Sequence, residues 1–140
     1  MPLAPRLPMG VRGITETKEG RLTVILVVGG TLLVAAAFAN VWMANAADDE
    51  ADQVRRALRG GLTSVSDQAI DDFPESAPAI EGAAHRALAD KPARLVRITQ
   101  PDGDEVVVAV ETSWGWQLRC VEAELRGGGT VLTDPRTGPC

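Results

Sequence analysis

The chain has 140 residues, a formal net charge of −5 and a single histidine. A chain of this length has room for one small folded domain and a modest core, so two folded domains are excluded. The acidic balance is the opposite of the basic surface typical of nucleic-acid-binding proteins, and no nucleic-acid partner is expected.

An uncharged run occupies residues 22–47. Its apolar core, residues 22–43, would rise about 33 Å as a helix, which is enough to cross the hydrocarbon layer of a bilayer. Trp42 lies at the end of this core, where an aromatic side chain anchors many spans in the interface. The sequence therefore predicts one transmembrane helix over residues 22–43. We expect this helix to act as an uncleaved signal anchor and to contact the lipid bilayer.

The two sides of this run differ in charge. Residues 1–21 carry four basic and two acidic side chains, whereas residues 48–140 carry ten basic and seventeen acidic ones. Because the flank with an excess of basic over acidic residues is expected to stay in the cytoplasm, residues 1–21 are expected to form a cytoplasmic basic tail, with the C-terminus outside the cell membrane. Twelve arginines against two lysines resemble the codon bias of a GC-rich bacterial genome, and this ratio has no mechanistic meaning. The expected location is a bacterial cell envelope.

The same run has a second interpretation, as a secretory signal peptide. Ala44, Asn45 and Ala46 precede Ala47 with the small-x-small pattern of a signal peptidase site. The apolar stretch exceeds the usual length of about 7–15 residues for the core of a signal peptide, which favours retention. Cleavage after Ala46 would instead release a secreted ligand-binding protein.

Small side chains recur at every fourth position of the predicted span, at Thr31, Ala35 and Ala39, beside Gly29 and Gly30. Such a row lets a second helix approach closely. We therefore expect the membrane helix to contact another envelope protein or a second copy of the chain.

Residues 44–75 are expected to form a helical stalk and linker. Acidic residues at its start and arginines further on match the dipole of a helix. Gly60 and Gly61 are expected to break or kink this helix. Its apolar stripe is thin and consists of Ala51, Val54 and Leu58.

Residues 76–140 are expected to form the extracytoplasmic domain. Apolar residues at helical spacing predict a helix over residues 79–90. Stretches of alternating apolar and polar residues, joined by turn sequences, predict an antiparallel sheet of three to four strands and an α+β fold. The predicted strands cover residues 94–100, 105–113 and 116–125, with a weaker one over 130–133.

Cys120 and Cys140 both fall on the predicted outer side, where an oxidising compartment favours disulfide formation. A bridge between them would close a loop of twenty residues and stabilise the domain by about 3 kcal/mol on the chain-entropy model. It would also hold the C-terminal tail against the third strand. The alternative is an intermolecular bridge through the terminal Cys140.

The sequence contains no recognisable catalytic, cofactor-binding or metal-binding signature, and we expect no enzyme activity. A lone histidine, His85, is a poor start for a zinc site, which needs about three or four ligands. No serine stands in a nucleophile-elbow context. Asp102, Asp104 and Glu105 resemble part of a calcium loop, but no distal carboxylate completes it, so a solvated hairpin turn is expected.

Trp114 and Trp116 flank Gly115 and are expected to point to the same side of the sheet. The favoured interpretation is burial, with Trp116, Leu118 and Cys120 sharing one core-facing side, because an Ala-rich helix leaves space for large rings. The alternative is an exposed, partner-binding aromatic patch. Taken with the span, these features predict a single-pass membrane protein whose small domain acts as an interaction or structural module in the envelope.

Overall fold

The computed structural model describes residues 18–140, so most of the predicted basic tail, residues 1–21, lies outside the described residues. The chain divides into two compact units, of which the first extends to Val41 and the second is Trp42–Cys140. Helix α1 (Lys18–Leu62) begins in the first unit and ends in the second.

In the first unit, α1 is long and apolar enough to cross a membrane, judged by length and composition. Large apolar side chains such as Leu33 and Phe38 are exposed on it. The hydroxyl groups of Thr23 and Thr31 donate to backbone carbonyls four residues earlier, so they are satisfied within the helix itself. The prediction of a long apolar N-terminal helix is confirmed.

The second unit combines helices with one antiparallel sheet, which confirms the predicted α+β class. The strands follow the order β1-β2-β3-β4, and β5 pairs with β3. The sheet thus gains a short fifth strand beyond the three to four expected. Besides the end of α1, its elements are α2 (Asp67–Asp71), α3 (Ala77–Ala87), β1 (Ala93–Asp102), β2 (Glu105–Trp114), β3 (Gln117–Arg126), β4 (Gly129–Leu132) and β5 (Arg136–Thr137).

The core lies between the helices and one side of the sheet. Register pairs along β2 and β3 place small and branched apolar side chains side by side on this helix-covered face. Residues of α1, α2 and α3 complete the same cluster. The buried members on the two central strands are Val106, Val108, Val110, Val121, Ala123 and Leu125.

The segment predicted as a stalk is part of this core. Ala51, Val54 and Leu58 are fully buried and belong to the same cluster as the sheet valines. Residues 44–62 therefore belong to the main helix of the second unit, Trp42–Cys140, where α1 packs on the sheet. A narrow stripe suffices because a helix that packs on a sheet buries only one face.

Helix α1 ends at Leu62, directly after Gly60 and Gly61, which confirms the predicted end of the helix to within about two residues. A Cβ atom on Gly61 would overlap the Cβ atom of Ala87 in α3, whereas one on Gly60 would meet no atom within 4 Å. Gly61 is therefore required for the close approach of α3.

Candidate functional site

All three tryptophans of the chain lie at one end of the second unit. Trp42 stands at the start of the unit, Trp114 is the last residue of β2, and Trp116 follows in the turn. The ring centroids of Trp42 and Trp114 are 6.5 Å apart at an interplanar angle of 80°. This edge-to-face arrangement is one that aromatic pairs prefer, so the end of β2 is packed against α1.

The turn between β2 and β3, residues 114–117, is here called the hairpin tip. Trp114 pairs with Gln117, which leaves Gly115 and Trp116 as a two-residue turn. Gly115 has a φ of 59°, in the left-handed region that such turns need and that glycine adopts without strain. A Cβ atom at Gly115 would lie 3.2 Å from Sδ of Met43, so the tip closely approaches α1.

The expected burial of Trp116 is wrong. Its relative exposure is 68%, and Trp114 and Leu118 are 41% and 39% exposed. The register places Arg119 and not Leu118 opposite Thr112 on the helix-covered face, so Leu118 belongs to the outer face of the sheet. Trp116 itself lies in the turn beyond the last pair of the ladder. The exposed aromatic patch, the alternative interpretation, matches this exposure.

Arg119 is the one charged side chain among the buried residues of the described chain, 18–140. Its Nε donates to Oδ1 of Asp48 at 2.6 Å, and its Nη2 donates to the carbonyl oxygen of Ala44 at 3.3 Å. Nη1 donates to the carbonyl oxygen of Leu118 at 3.0 Å. A charge that is buried must be paired in this way, and the guanidinium fork thereby joins β3 to the part of α1 that follows Met43.

The C-terminal tail closes over the outer face of β3. Cys120 and Cys140 lie at disulfide distance, with Cα atoms 5.0 Å apart, as the sequence predicts. The N–H of Gly138 donates to the carbonyl oxygen of Leu118 at 3.0 Å, which places the tail alongside the strand. This cover explains why Cys120 is buried although it shares the outer face with the exposed Leu118.

Glu111 receives two hydrogen bonds on this outer face. Nη2 of Arg94 donates to its Oε2 at 2.7 Å, and the backbone N–H of Cys140 donates to its Oε1 at 2.9 Å. The bond from Arg94, followed by that from Cys140, holds the pKa of Glu111 below its ordinary value of 4.5. The carboxylate therefore stabilises the attachment of the tail in its charged form.

The other outer-face glutamates of β2 and β3 are also paired. Glu122 contacts arginines of two other segments, and Glu105 and Glu124 share one arginine. These glutamates therefore form a network of ion pairs, in which each one has a cation within 4 Å. The arginines that provide these pairs are Arg97 and Arg136 for Glu122, and Arg126 for Glu105 and Glu124.

His85 is exposed on α3, with its Nε2 3.4 Å from Oε1 of Glu81 one turn earlier. Among the described residues, 18–140, no group of three or more His, Cys, Asp or Glu side chains is arranged to hold a metal ion. Asp102 and Glu105 form a register pair across the β1–β2 turn, as expected for a hairpin. These residues form no convergent polar site.

The sequence did not predict two parts of this site, which are the role of Arg119 and the contact of Trp42 with the hairpin tip. The burial of Arg119 does have a signal in the sequence. Arg119 is two residues before Val121 on β3, and every second residue of a strand lies on the same face, so Arg119 shares the buried face of Val121, Ala123 and Leu125. No comparable local signal joins Trp42 to a strand that lies some seventy residues away. In comparisons with known proteins, no family model, curated protein or solved structure matches the chain.

Proposed function

We propose that the chain is a single-pass anchor in a bacterial cell membrane, with a cytoplasmic N-terminus, and that its domain is an interaction or structural module on the extracytoplasmic side. The observation that carries this proposal is the dual composition of α1. One continuous helix, Lys18–Leu62, contains an apolar segment with exposed side chains and then the core helix of the domain.

The side chains of the first part of α1 support a lipid environment. Exposed leucines, valines and a phenylalanine surround the helix, and a soluble monomer rarely exposes so much contiguous apolar surface. The two threonine hydroxyls are satisfied by backbone carbonyls, which a bilayer requires of polar groups. The excess of basic residues before the segment supports the proposed orientation.

The second part of α1 favours retention over cleavage after Ala46. Ala47 has a relative exposure of only 1%, so a new amino terminus there would place a charged group in a buried position. Cleavage would also remove Trp42 from its contact with Trp114 and Ala44 from its hydrogen bond with Arg119. Retention preserves all of these contacts.

The pattern of charged groups supports a module that binds or positions other molecules. The carboxylates on the outer sheet face are held in ion pairs, and the buried Arg119 is used to fasten β3 to α1. A hydrolytic or acid–base site needs polar groups that converge on a substrate with spare hydrogen-bonding capacity. The groups described above instead satisfy one another.

The anchor is tested on the full chain with a reporter fused after Cys140. We expect a reporter that is active only outside the cytoplasm to work there, and the intact mass of the membrane-bound protein to include residues 22–47. Activity of a strictly cytoplasmic reporter would contradict the topology. A soluble product that begins at Ala47 would contradict retention and support the secreted ligand-binding protein.

The partner of the membrane helix is tested by cysteine cross-linking in membranes. Ala35 lies in the row of small side chains, whereas Leu33 points to the opposite side of the helix, two residues away. We expect Ala35→Cys to give a cross-linked product, either a dimer or a heteromer, and Leu33→Cys to serve as the control that gives little. Equal cross-linking at both positions would contradict association through this face.

A further inference from the structure

Exposed apolar side chains are concentrated at one end of the second unit. Six large apolar residues of Trp42–Cys140 are exposed, and four of them lie at the hairpin tip or beside it. These four are here called the tryptophan patch: Trp42, Trp114, Trp116 and Leu118. A cluster of this kind marks a surface that has another contact in the working protein.

The position of the patch along the chain indicates what that contact is. Trp42 and Met43 are the last two residues of the proposed membrane span, and both approach the hairpin tip. Trp42 is thus placed where tryptophan rings occupy the headgroup region of a bilayer. Because Trp114 lies edge-to-face on Trp42, the tip is at the same depth as this interfacial ring.

The turns at the two ends of β2 differ in charge, and only the uncharged one suits contact with a bilayer. Residues 113–118 around the tip carry no charged side chain, whereas the opposite turn carries Asp102, Asp104 and Glu105. At about 3.4 Å per residue, the two turns are separated by roughly 30 Å of strand. The uncharged, aromatic turn is the one that meets the end of the span, and the acidic turn is remote from it.

The first acidic side chain after the span is neutralised in the same region. Asp48 accepts a 2.6 Å hydrogen bond from the buried Arg119, which also bonds to the carbonyl oxygen of Ala44. This ion pair lowers the cost of placing a carboxylate close to a lipid surface, and it fixes β3 and the tip to α1.

We propose that the hairpin tip inserts into the outer headgroup layer of the bilayer beside Trp42, as a second membrane contact of the domain. This inference rests on the proposed membrane anchorage, since it takes the depth of the tip from the end of the span. The amphipathic indole rings of Trp114 and Trp116 are the side chains that lipid–water interfaces favour. The partner is the lipid interface, and the domain is held against it by the span and by the tip.

The test uses the full chain in lipid nanodiscs and measures quenching of tryptophan fluorescence. In the double variant Trp42→Phe/Trp114→Phe, Trp116 is the only tryptophan, and in Trp114→Phe/Trp116→Phe it is Trp42. Lipids brominated near the headgroup or near the end of the acyl chain report the depth of each ring. Iodide in the buffer reports exposure to water.

We expect emission from Trp116 to be quenched by lipids brominated near the headgroup, to be quenched less by deeper bromines, and to lose most of its sensitivity to iodide. Free quenching by iodide without lipid quenching would overturn the inference. Protection from both quenchers would also overturn it, because a protein partner or a second copy would then cover the patch.

The variant that retains only Trp42 separates this inference from the proposed anchor. Lipid quenching of Trp42 but not of Trp116 would refute insertion of the tip and leave the anchor intact, whereas absence of lipid quenching at both would refute the anchor. The wild-type chain gives a second measurement that does not depend on the variants. If the tip inserts, lipid quenching should affect the emission of all three rings, and quenching limited to the contribution of Trp42 would contradict insertion.

Discussion

Substitution of Asp48 should destabilise the domain more than substitution of Arg119, although Asp48 is the more exposed partner. The Arg119 side chain has a relative exposure of 5%, against 60% for Asp48. Asp48→Ala leaves the buried guanidinium without its carboxylate and with hydrogen bonds to neutral groups alone. Arg119→Met removes the charge and keeps an apolar stem in the same space, and the carboxylate left behind is solvated.

The magnitudes follow from this asymmetry. Removing one member of a fully buried pair costs about 3–5 kcal/mol, because the other charge stays buried and unpaired. Water reaches the exposed side of this pair and screens it, and two backbone carbonyls still accept from Arg119, so we expect about 2–3 kcal/mol for Asp48→Ala. Arg119→Met should cost about 1 kcal/mol or less. The double variant should then be more stable than Asp48→Ala alone.

The assay is urea unfolding of the full chain in mild detergent micelles, followed by far-UV circular dichroism. Arg126→Met is the matched control, because Arg126 lies 2.8 Å from Glu105 and 2.9 Å from Glu124 on the exposed face. Because the Arg126 side chain is 54% exposed and its charge is screened by water, each of these pairs contributes about 0–1 kcal/mol. If Asp48→Ala costs no more than this control, or if the double variant is the least stable of the set, the explanation by a stranded buried charge is refuted.

Three further predictions concern packing, pH and the tail. Gly61→Ala should destabilise the domain by about 1–3 kcal/mol, because the new methyl group would overlap with Ala87. The control Gly60→Ala should stabilise it by about 0.5–1 kcal/mol, and equal effects of the two variants in urea unfolding would contradict the close approach. The pKa of Glu111 is lowered in the folded protein, so its contribution to stability is complete above pH 4.5 and is lost as the pH falls through the folded pKa. The difference in the free energy of unfolding between wild type and Glu111→Gln should therefore shrink in acid. Cys140→Ser should cost about 3 kcal/mol in a monomer, and a wild-type dimer that dissociates on reduction would contradict the internal bridge.

The sequence predicts the strands well, but it does not predict that α1 packs on them. A valine-rich run over residues 106–110 and the alternating residues 118–125, with turn residues on either side, predict β2, β3 and their hairpin to within one or two residues. The burial of α1 residues was missed because the partners of Val54 and Leu58 in the sheet lie some fifty residues further along the chain. A thin apolar stripe beside an acidic cluster has no local sign of such a partner.

The error on Trp116 has a simple physical origin. Side chains alternate between the two faces of a strand, so a shift of one residue in the assumed register reverses every assignment. Leu118 and Cys120 do lie on the same face of β3, and Trp116 lies in the turn before them. The buried face is the opposite one, which contains Val121. Cys120 is buried although it lies on the outer face, because the C-terminal tail covers it.

The change of pattern within α1 carries the most information about the proposed anchor. Before Trp42 the helix is apolar on all sides, as expected in lipid, whereas afterwards its buried residues follow a single stripe with polar residues between them. Under the proposed topology, this change marks the level at which the helix meets water. Asp48 is the first charge beyond that level and the partner of Arg119, so the domain is fastened close to the end of the span. Cleavage after Ala46 would remove Trp42 and Met43, which contact the hairpin tip. The buried stripe consists of Ala47, Ala51, Val54, Leu58 and Leu62.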